Sequence, residues 1–210
     1  MRHTIICIGR QYGSGGREVG ELLAKKLNVP CWDKLLLQRA AREAHLAPEE
    51  VAEREERPLG FSDLVSGNVF ADSAALTTAF YSERQVVYDA ERRAILEAAD
   101  AGDCVIIGRS ASAILRGSEH DVLSVFIYAD MDDRLRRIEA RSGLSQKDAA
   151  RKMNKIDRLR RHYFDFYSET PWGEPASYDL MLSSSRYGIE GAADLIMRAL
   201  GDERKDGDAQ

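Results

Sequence analysis

The feature that most restricts how this chain can fold lies at its start, where an apolar run, residues 5–8, leads directly into a glycine-rich stretch, residues 9–16. Four of those eight residues are glycines, and helical apolar spacing begins just after them. Glycine permits positive φ angles and close approach of the backbone, and successive backbone N–H groups at a helix N-terminus attract an anion. The pattern predicts a strand, a phosphate-binding loop and a helix.

The loop matches the P-loop pattern G-x-x-x-x-G-K-[ST] incompletely. Gly15 fills the last glycine position only if Gly16 stands where the lysine belongs, and Arg17, one place later, is the nearest cation. Glu18 lies near the position where a serine or threonine would bind Mg²⁺, which makes it a candidate metal ligand. We expect phosphate to contact the loop and first helical turn, namely Gly13, Ser14, Gly15, Gly16, Arg17 and Glu18.

Two other interpretations of the loop are open. One is a tight strand-to-helix turn that binds no ligand, although four glycines exceed what such a turn needs. The other is a dinucleotide-binding loop, since Gly13-Ser14-Gly15 begins a G-x-G motif and Asp33 follows twenty residues later. Glu18 occupies the third glycine position of that motif, and the chain has no Tyr-x-x-x-Lys pair. Both facts disfavour a dehydrogenase.

Apolar runs alternate with helical patterns along the rest of the chain. Strands are predicted at residues 29–33, 104–108, 123–129 and 179–182, and helices at 19–27, 35–44, 49–57, from 83 to about 102, from 130 onward, and 189–200. This alternation predicts an α/β fold, a three-layer doubly wound parallel sheet of about five strands.

Composition limits the class of protein further. The 210 residues, 44% hydrophobic, can bury one good core, and the net charge of −5 argues against a general nucleic-acid binder. The three cysteines have no metal-ligand spacing, and no apolar stretch approaches the roughly 20 residues that span a bilayer. We therefore expect a cytoplasmic protein without a membrane partner, with one domain over residues 1–200 and a disordered tail over 201–210.

The charge is unevenly distributed. Residues 134–161 contain eleven Lys and Arg against three acids, so this segment is +8 and the remainder of the chain is −13. Within it, Arg151, Lys155 and Arg158 follow helical spacings of four and three and so share one face. Such a face is often simply solvated. Beside a phosphate loop, it predicts cations that close over the phosphates and exclude water.

Several motifs together resemble one family: residues 9–18, Trp32-Asp33-Lys34, Val105-Ile106-Ile107-Gly108-Arg109, residues 154–160, Tyr178-Asp179-Leu180, and residues 184–191. With them, the chain resembles the cytidylate kinase-like family, a branch of the P-loop nucleoside monophosphate kinases, from Ile5 to Leu200. The resemblance implies transfer of the ATP γ-phosphoryl group to a nucleoside monophosphate, first CMP or dCMP, with Mg²⁺ bridging the ATP phosphates.

The resemblance also implies roles for particular residues. Asp33 and Arg39 match an acid and an arginine that bind the acceptor in cytidylate kinases, and Arg109 matches the arginine of their Gly-Arg-Asp acceptor motif. Asp157 and Arg160 match the Asp-x-x-Arg of the segment that closes over the phosphates, and both are also candidates for binding the acceptor substrate. The catalytic candidates are thus Arg17, Arg109, Arg158 and Arg160, whereas Arg151 and Lys155 are candidates for ATP binding. Residues 58–82 are expected to form an acceptor-binding insertion, and residues 141–165 a lid.

The chain departs from the family pattern at Gly16, which replaces the lysine, and at Ser110, which replaces the acceptor-recognising aspartate. Two other functions therefore stay open. One is a regulatory protein that binds nucleotide without transferring phosphate, and the other is a kinase of another small acceptor. The sequence makes no prediction of oligomeric state.

Overall fold

Five parallel strands form one sheet in the computed structural model, which describes residues 3–33, 73–108 and 110–207. The strand order is β2-β3-β1-β4-β5, and every neighbouring pair is parallel. The strands are β1 (Thr4–Arg10), β2 (Cys31–Trp32), β3 (Cys104–Ile107), β4 (Asp121–Tyr128) and β5 (Leu180–Ser183). The predicted parallel sheet of about five strands is confirmed.

Helices connect the strands. In the described part of the chain they are α1 (Gly16–Leu27), α2 (Ser73–Ala101), α3 (Ala111–Ile114), α4 (Met131–Ser142), α5 (Gln146–Tyr167) and α6 (Ser184–Gly207), with a short 3₁₀ turn at Pro175–Ser177. None of the helices within these ranges is long and apolar enough to cross a membrane.

The central strand β1 is buried on both faces, as its unbroken apolar sequence predicts. Ile6 and Ile8 point to one side, where they pack with residues of α1 and α6. Ile5 and Cys7 point to the other side and pack with residues of α2. Side chains alternate in direction along a strand, so one four-residue run, residues 5–8, joins both helical layers to the sheet. The doubly wound, three-layer arrangement is thereby confirmed.

Several boundaries differ from the sequence prediction. The long helix begins at Ser73 and not near residue 83, so residues 73–82 of the predicted insertion belong to α2. Ala74, Ala75 and Leu76 favour helix, and this outweighs the paired threonines that suggested a loop. The remainder of the insertion, residues 58–72, and the helices predicted at 35–44 and 49–57 lie outside the described residues.

The last helix is longer at both ends than the predicted range of 189–200. It begins at Ser184, is interrupted at Gly188, where φ is 69° and ψ is −176°, and continues to Gly207. The tail expected to be disordered from residue 201 is therefore helical as far as Gly207. Glu203, Arg204 and Lys205 have high helix propensity, which explains why the helix continues into polar sequence.

The three cysteines are unpaired thiols. Cys7 and Cys104 are buried and Cys31 is half-buried. Burial raises the pKa of Cys104 to about 12 and the pKa of Cys31 to about 11, and it raises the pKa of Cys7 as well. All three are thus protonated near neutral pH.

A buried carboxyl group joins two of the helices. Glu91 of α2 is only 2% exposed, and its carboxyl accepts a hydrogen bond from the Tyr163 hydroxyl of α5. Next to this contact, the rings of Tyr88 and Tyr167 stack with their centroids 3.6 Å apart. Burial raises the pKa of Glu91 to about 7, because the ionised form loses its hydration.

This raised pKa predicts a pH-dependent stability. The unfolded chain releases the Glu91 proton above pH ~4.5, whereas the folded protein keeps it until about pH 7. The contribution of Glu91 to the free energy of unfolding is therefore fully present below pH ~4.5 and is lost as pH rises through about 7. We expect Glu91→Gln, which keeps an acceptor for Tyr163, to remove this component from the curve of melting temperature against pH. Parallel curves for the two proteins from about pH 4.5 to 8 would contradict the assignment.

Candidate active site

The loop between β1 and α1 is held in a shape that requires glycine. Gly13 and Gly15 have φ angles of 78° and 77°, and Gly15 is the residue that caps α1. A Cβ atom on Gly13 would lie 2.8 Å from the backbone oxygen of Arg134, so a side chain is excluded by backbone as well as by φ. The predicted strand, glycine loop and helix are all observed.

An ion pair between buried Arg134 and partly buried Asp157 holds the loop at Tyr12. The Asp157 carboxylate of α5 accepts a hydrogen bond from the Tyr12 N–H at 2.7 Å, while the Arg134 Nε of α4 donates to the Tyr12 carbonyl at 2.8 Å. The two side chains also pair with each other. We call this arrangement the Tyr12 clamp. Both carboxylate oxygens of Asp157 therefore have protein partners, and its predicted role toward an acceptor stays a prediction.

Further contacts fix the backbone on either side of the clamp. The Ser184 hydroxyl donates to the Ser14 carbonyl at 2.5 Å, and Arg137 donates to the Gly13 carbonyl at 3.4 Å. The Gln11 side chain accepts from the Ala129 N–H at 3.2 Å. With several of its carbonyls bound by other elements, the loop is preorganised before any ligand arrives.

A cleft of about 790 Å³ lies over the loop. Its charged lining comprises Arg10, Arg17, Arg137, Arg141, Arg160, Glu18 and Asp33. Five guanidinium groups against two carboxylates make the cleft positive, as an anion site requires. The structure therefore brings the glycine loop, Arg17, Glu18, Asp33 and Arg160 together as the sequence predicts.

Arg17 has protein partners that the sequence did not indicate. Its Nε lies 2.9 Å from a Glu21 carboxylate oxygen and 3.2 Å from one of Asp33, and its side chain is 41% exposed. The charge of Arg17 is therefore already balanced within the protein. Asp33, the predicted acceptor-binding acid, is one of the groups that balance it.

Arg160 reaches the loop from α5. Its Nη1 donates to the Arg10 carbonyl at 3.1 Å, and its guanidinium lies 5.6 Å from the centroid of the Tyr12 ring. Arg141 of α4 lies over the same ring at 5.3 Å. The Tyr12 side chain thus holds two arginines at the rim of the cleft by cation–π contacts.

The basic face of α5 that the helical spacing predicts lies outside the cleft. Arg151, Lys155 and Arg158 are exposed and do not line the cleft, and Arg151 lies 3.5 Å from Asp148. Their roles toward phosphate stay predictions. Arg39 and Arg109 lie outside the described residues.

Sequence reasoning missed three cations of the cleft: Arg10, Arg137 and Arg141. The last two lie with Arg134 on α4 at spacings of three and four, which is the same signal that singled out the α5 face. Arg10 carried no such signal, because it lies at the end of a strand.

A second, inner cavity of about 190 Å³ adjoins the cleft. Gly108 and Ser110, which follow β3, are part of its lining. Four aromatic residues from α5 and the segment after it also line it: Tyr163, Phe164, Trp172 and Tyr178. Arg10 and Arg160 line both spaces. Two adjoining cavities therefore share two cations.

The Tyr12 clamp predicts a stability effect. Asp157→Asn keeps an acceptor for the Tyr12 N–H but leaves the buried Arg134 guanidinium without its counter-charge, which should cost on the order of 2 kcal/mol in unfolding free energy. Asp194→Asn is the matched control, because Asp194 pairs with Lys26 at 55% exposure and such a surface pair contributes little. Urea denaturation measures both, and equal losses in the two variants would refute the clamp.

Comparison with known proteins agrees with this geometry. The profile of the cytidylate kinase-like family matches residues 5–186. A protein named cytidylate kinase, from Pyrobaculum aerophilum, is 27% identical over 144 residues, or 65% of this chain and 77% of that protein. An uncharacterized protein from Eubacterium ventriosum has a structure with a TM-score of 0.70 at 28% identity, covering 95% of this chain and 99% of that one. Shikimate kinase from Bacteroides thetaiotaomicron, at 17% identity and a TM-score of 0.54 over 94% of this chain and 98% of its own, shares the P-loop kinase fold. The chain belongs to the cytidylate kinase-like family.

Proposed function

We propose that this protein transfers the γ-phosphoryl group of ATP to a nucleoside monophosphate, with CMP or dCMP as the first acceptors to test. The observation that carries the proposal is the pair of adjoining cavities that share Arg10 and Arg160, one of them over a glycine-rich phosphate loop. Family and fold support nucleotide-dependent phosphoryl transfer in general. The choice of acceptor rests on the resemblance and on the named relative.

The cleft suits the triphosphate of the donor. Its excess of guanidinium groups offsets the phosphate charge, and the N-terminus of α1 opens toward it at Gly15 and Gly16. Mg²⁺ would neutralise the phosphates when bound. Within the described ranges, no three His, Cys, Asp or Glu side chains cluster to hold an ion. Of the two carboxylates in the cleft, Glu18 forms no ion pair with another described residue, and it could contribute a ligand beside the ATP oxygens.

The inner cavity suits the acceptor, because it lies at the carboxyl end of β3, where open α/β sheets bind ligands. Its aromatic walls can enclose a planar or apolar group, while Ser110 provides a polar atom. The acceptor phosphate is already an anionic nucleophile, so transfer requires positioning and charge neutralisation more than a general base. Arg160, which borders both spaces, is placed to stabilise charge on the transferring group.

A kinase of another small acceptor is the second candidate. Ser110 lines the inner cavity where the family motif has an aspartate, so the hydrogen bond that would select the acceptor base is changed from a carboxylate to a hydroxyl. This difference affects the choice of acceptor and does not change the cleft proposed for ATP.

The acceptor is decided by a panel assay. With ATP and Mg²⁺, we expect ADP release to depend on CMP or dCMP and to exceed release with UMP, AMP, small hydroxylated metabolites or no acceptor. Release with one of the metabolites alone would replace the proposal by the second candidate. Tight ATP binding with no acceptor-dependent release would indicate a regulatory nucleotide-binding protein.

Arg160 gives a second prediction. We expect Arg160→Ala to lower kcat by about 10²-fold or more, because a charge-stabilising donor is lost from the boundary of the two cavities. Lys152→Ala is the control, since Lys152 lies exposed on the same helix and lines neither cavity. Steady-state kinetics and melting temperature are measured together. A loss of stability at unchanged kcat would reduce Arg160 to a structural contact.

A further inference from the structure

Arg10 is the half-buried last residue of β1 and lines both the cleft and the inner cavity. Its guanidinium lies against the backbone of Gly108 at the end of β3, so closely that a Cβ atom on Gly108 would be 1.8 Å from Nη1. The side chain therefore crosses from one strand end to the next, at the boundary between the two spaces.

The charge of Arg10 has no close counter-charge among the described residues. No carboxylate there lies within ion-pairing distance of its guanidinium, whereas Arg17 contacts two and Arg134 contacts one. Asp33 and Glu18 act on Arg10 only at longer range, and burial lowers its pKa without neutralising it. A partly buried cation that has no carboxylate partner among the described residues is unfavourable, so this position favours an anionic ligand.

The steric relation between Arg10 and Gly16 explains the missing lysine. A Cβ atom on Gly16 would lie 2.5 Å from the Arg10 Cβ and 3.1 Å from the Ile127 Cβ. The space at the start of any side chain on residue 16 is therefore filled by Arg10. A side chain on residue 16 is therefore incompatible with Arg10 as it lies here, and in this chain the cation extends from the strand and not from the helix.

We propose that Arg10, and not Arg17, is the phosphate-contacting cation that takes the place of the P-loop lysine, and that it binds the terminal phosphate of a nucleoside triphosphate where the two cavities meet. Arg17 is 41% exposed and its charge is balanced by Glu21 and Asp33. The inference deepens the proposed function and rests on it for the transfer step. In that step the bond from the γ-phosphorus to the ADP oxygen breaks, a bond to the acceptor oxygen forms, and Arg10 remains with the phosphoryl oxygens.

The first test is binding, which requires no turnover. Calorimetry with a non-hydrolysable ATP analogue and Mg²⁺ compares Arg10→Gln with Arg17→Gln, the same change at the neighbouring cation. We expect Arg10→Gln to lower the affinity for the analogue about tenfold or more, which is the effect of losing a hydrogen bond to a charged group. Arg10→Gln should lower the affinity for ADP less than the affinity for the analogue. Arg17→Gln should lower the affinity for the analogue less than Arg10→Gln does. Without ligand, Arg10→Gln should melt no lower than wild type, because it removes a charge that has no carboxylate partner among the described residues.

The second test exchanges the origin of the cation. Arg10→Gly frees the space beside residue 16, so the double variant Arg10→Gly with Gly16→Lys restores a lysine in the usual P-loop position. We expect this double variant to bind the analogue more tightly than Arg10→Gly alone. Gly16→Lys alone should destabilise the fold, because its side chain meets Arg10. Arg10→Lys retains the positive charge and leaves Gly16 unchanged, so it should keep a higher affinity for the analogue than Arg10→Gln.

Failure of the Arg10 assignment can be distinguished from failure of the proposed function. Unchanged analogue affinity in Arg10→Gln, together with a larger loss in Arg17→Gln, overturns the assignment even if CMP is phosphorylated. Should wild type bind the analogue but phosphorylate no acceptor in the panel, the proposed function fails, and the binding comparison still decides the role of Arg10.

Discussion

The Tyr12 clamp is the interaction on which the candidate site depends. A glycine-rich loop loses much conformational entropy when it is fixed in one shape. Contacts from other parts of the fold must therefore hold it in that shape. Two side chains from different helices impose this shape: Asp157 accepts from the N–H of Tyr12, and Arg134 donates to the carbonyl of the same residue. Because α4 and α5 also supply Arg141 and Arg160 to the cleft, the same contact that shapes the loop fixes the distance between the loop and its cations.

The core of the fold was predictable from the sequence because its signals are local. The run from Ile5 to Ile8, the glycines after it and the apolar spacing of α1 each specify their own conformation within a few residues. Boundaries were less accurate where two local signals conflict, as at Ser73, where alanines precede paired threonines. The end of α6 was missed for a similar reason, since polarity was taken for disorder although the residues favour helix.

The site was predicted in part, because helical spacing shows which residues share a face but not what that face meets. Arg151, Lys155 and Arg158 do share a face, and it is exposed. Arg160, two residues beyond Arg158, faces the loop. The excess of positive charge in residues 134–161 was the correct signal, but α4 provides two of the cleft's cations, Arg137 and Arg141, and α5 provides one, Arg160. Arg10 could not be found from spacing, since only the packing of β1 against Gly16 and Gly108 reveals its surroundings.

The cysteines have a consequence for oxidation chemistry. Cys7 borders the inner cavity, where a reactive thiolate would expose the site to peroxide or disulfide exchange. Its burial in the sheet keeps the sulfur protonated, and the same is true of Cys31 and Cys104. Thiols of this kind react slowly with oxidants. Cys7 therefore lines the cavity as a thiol of low reactivity, which oxidants in the surrounding solution modify only slowly.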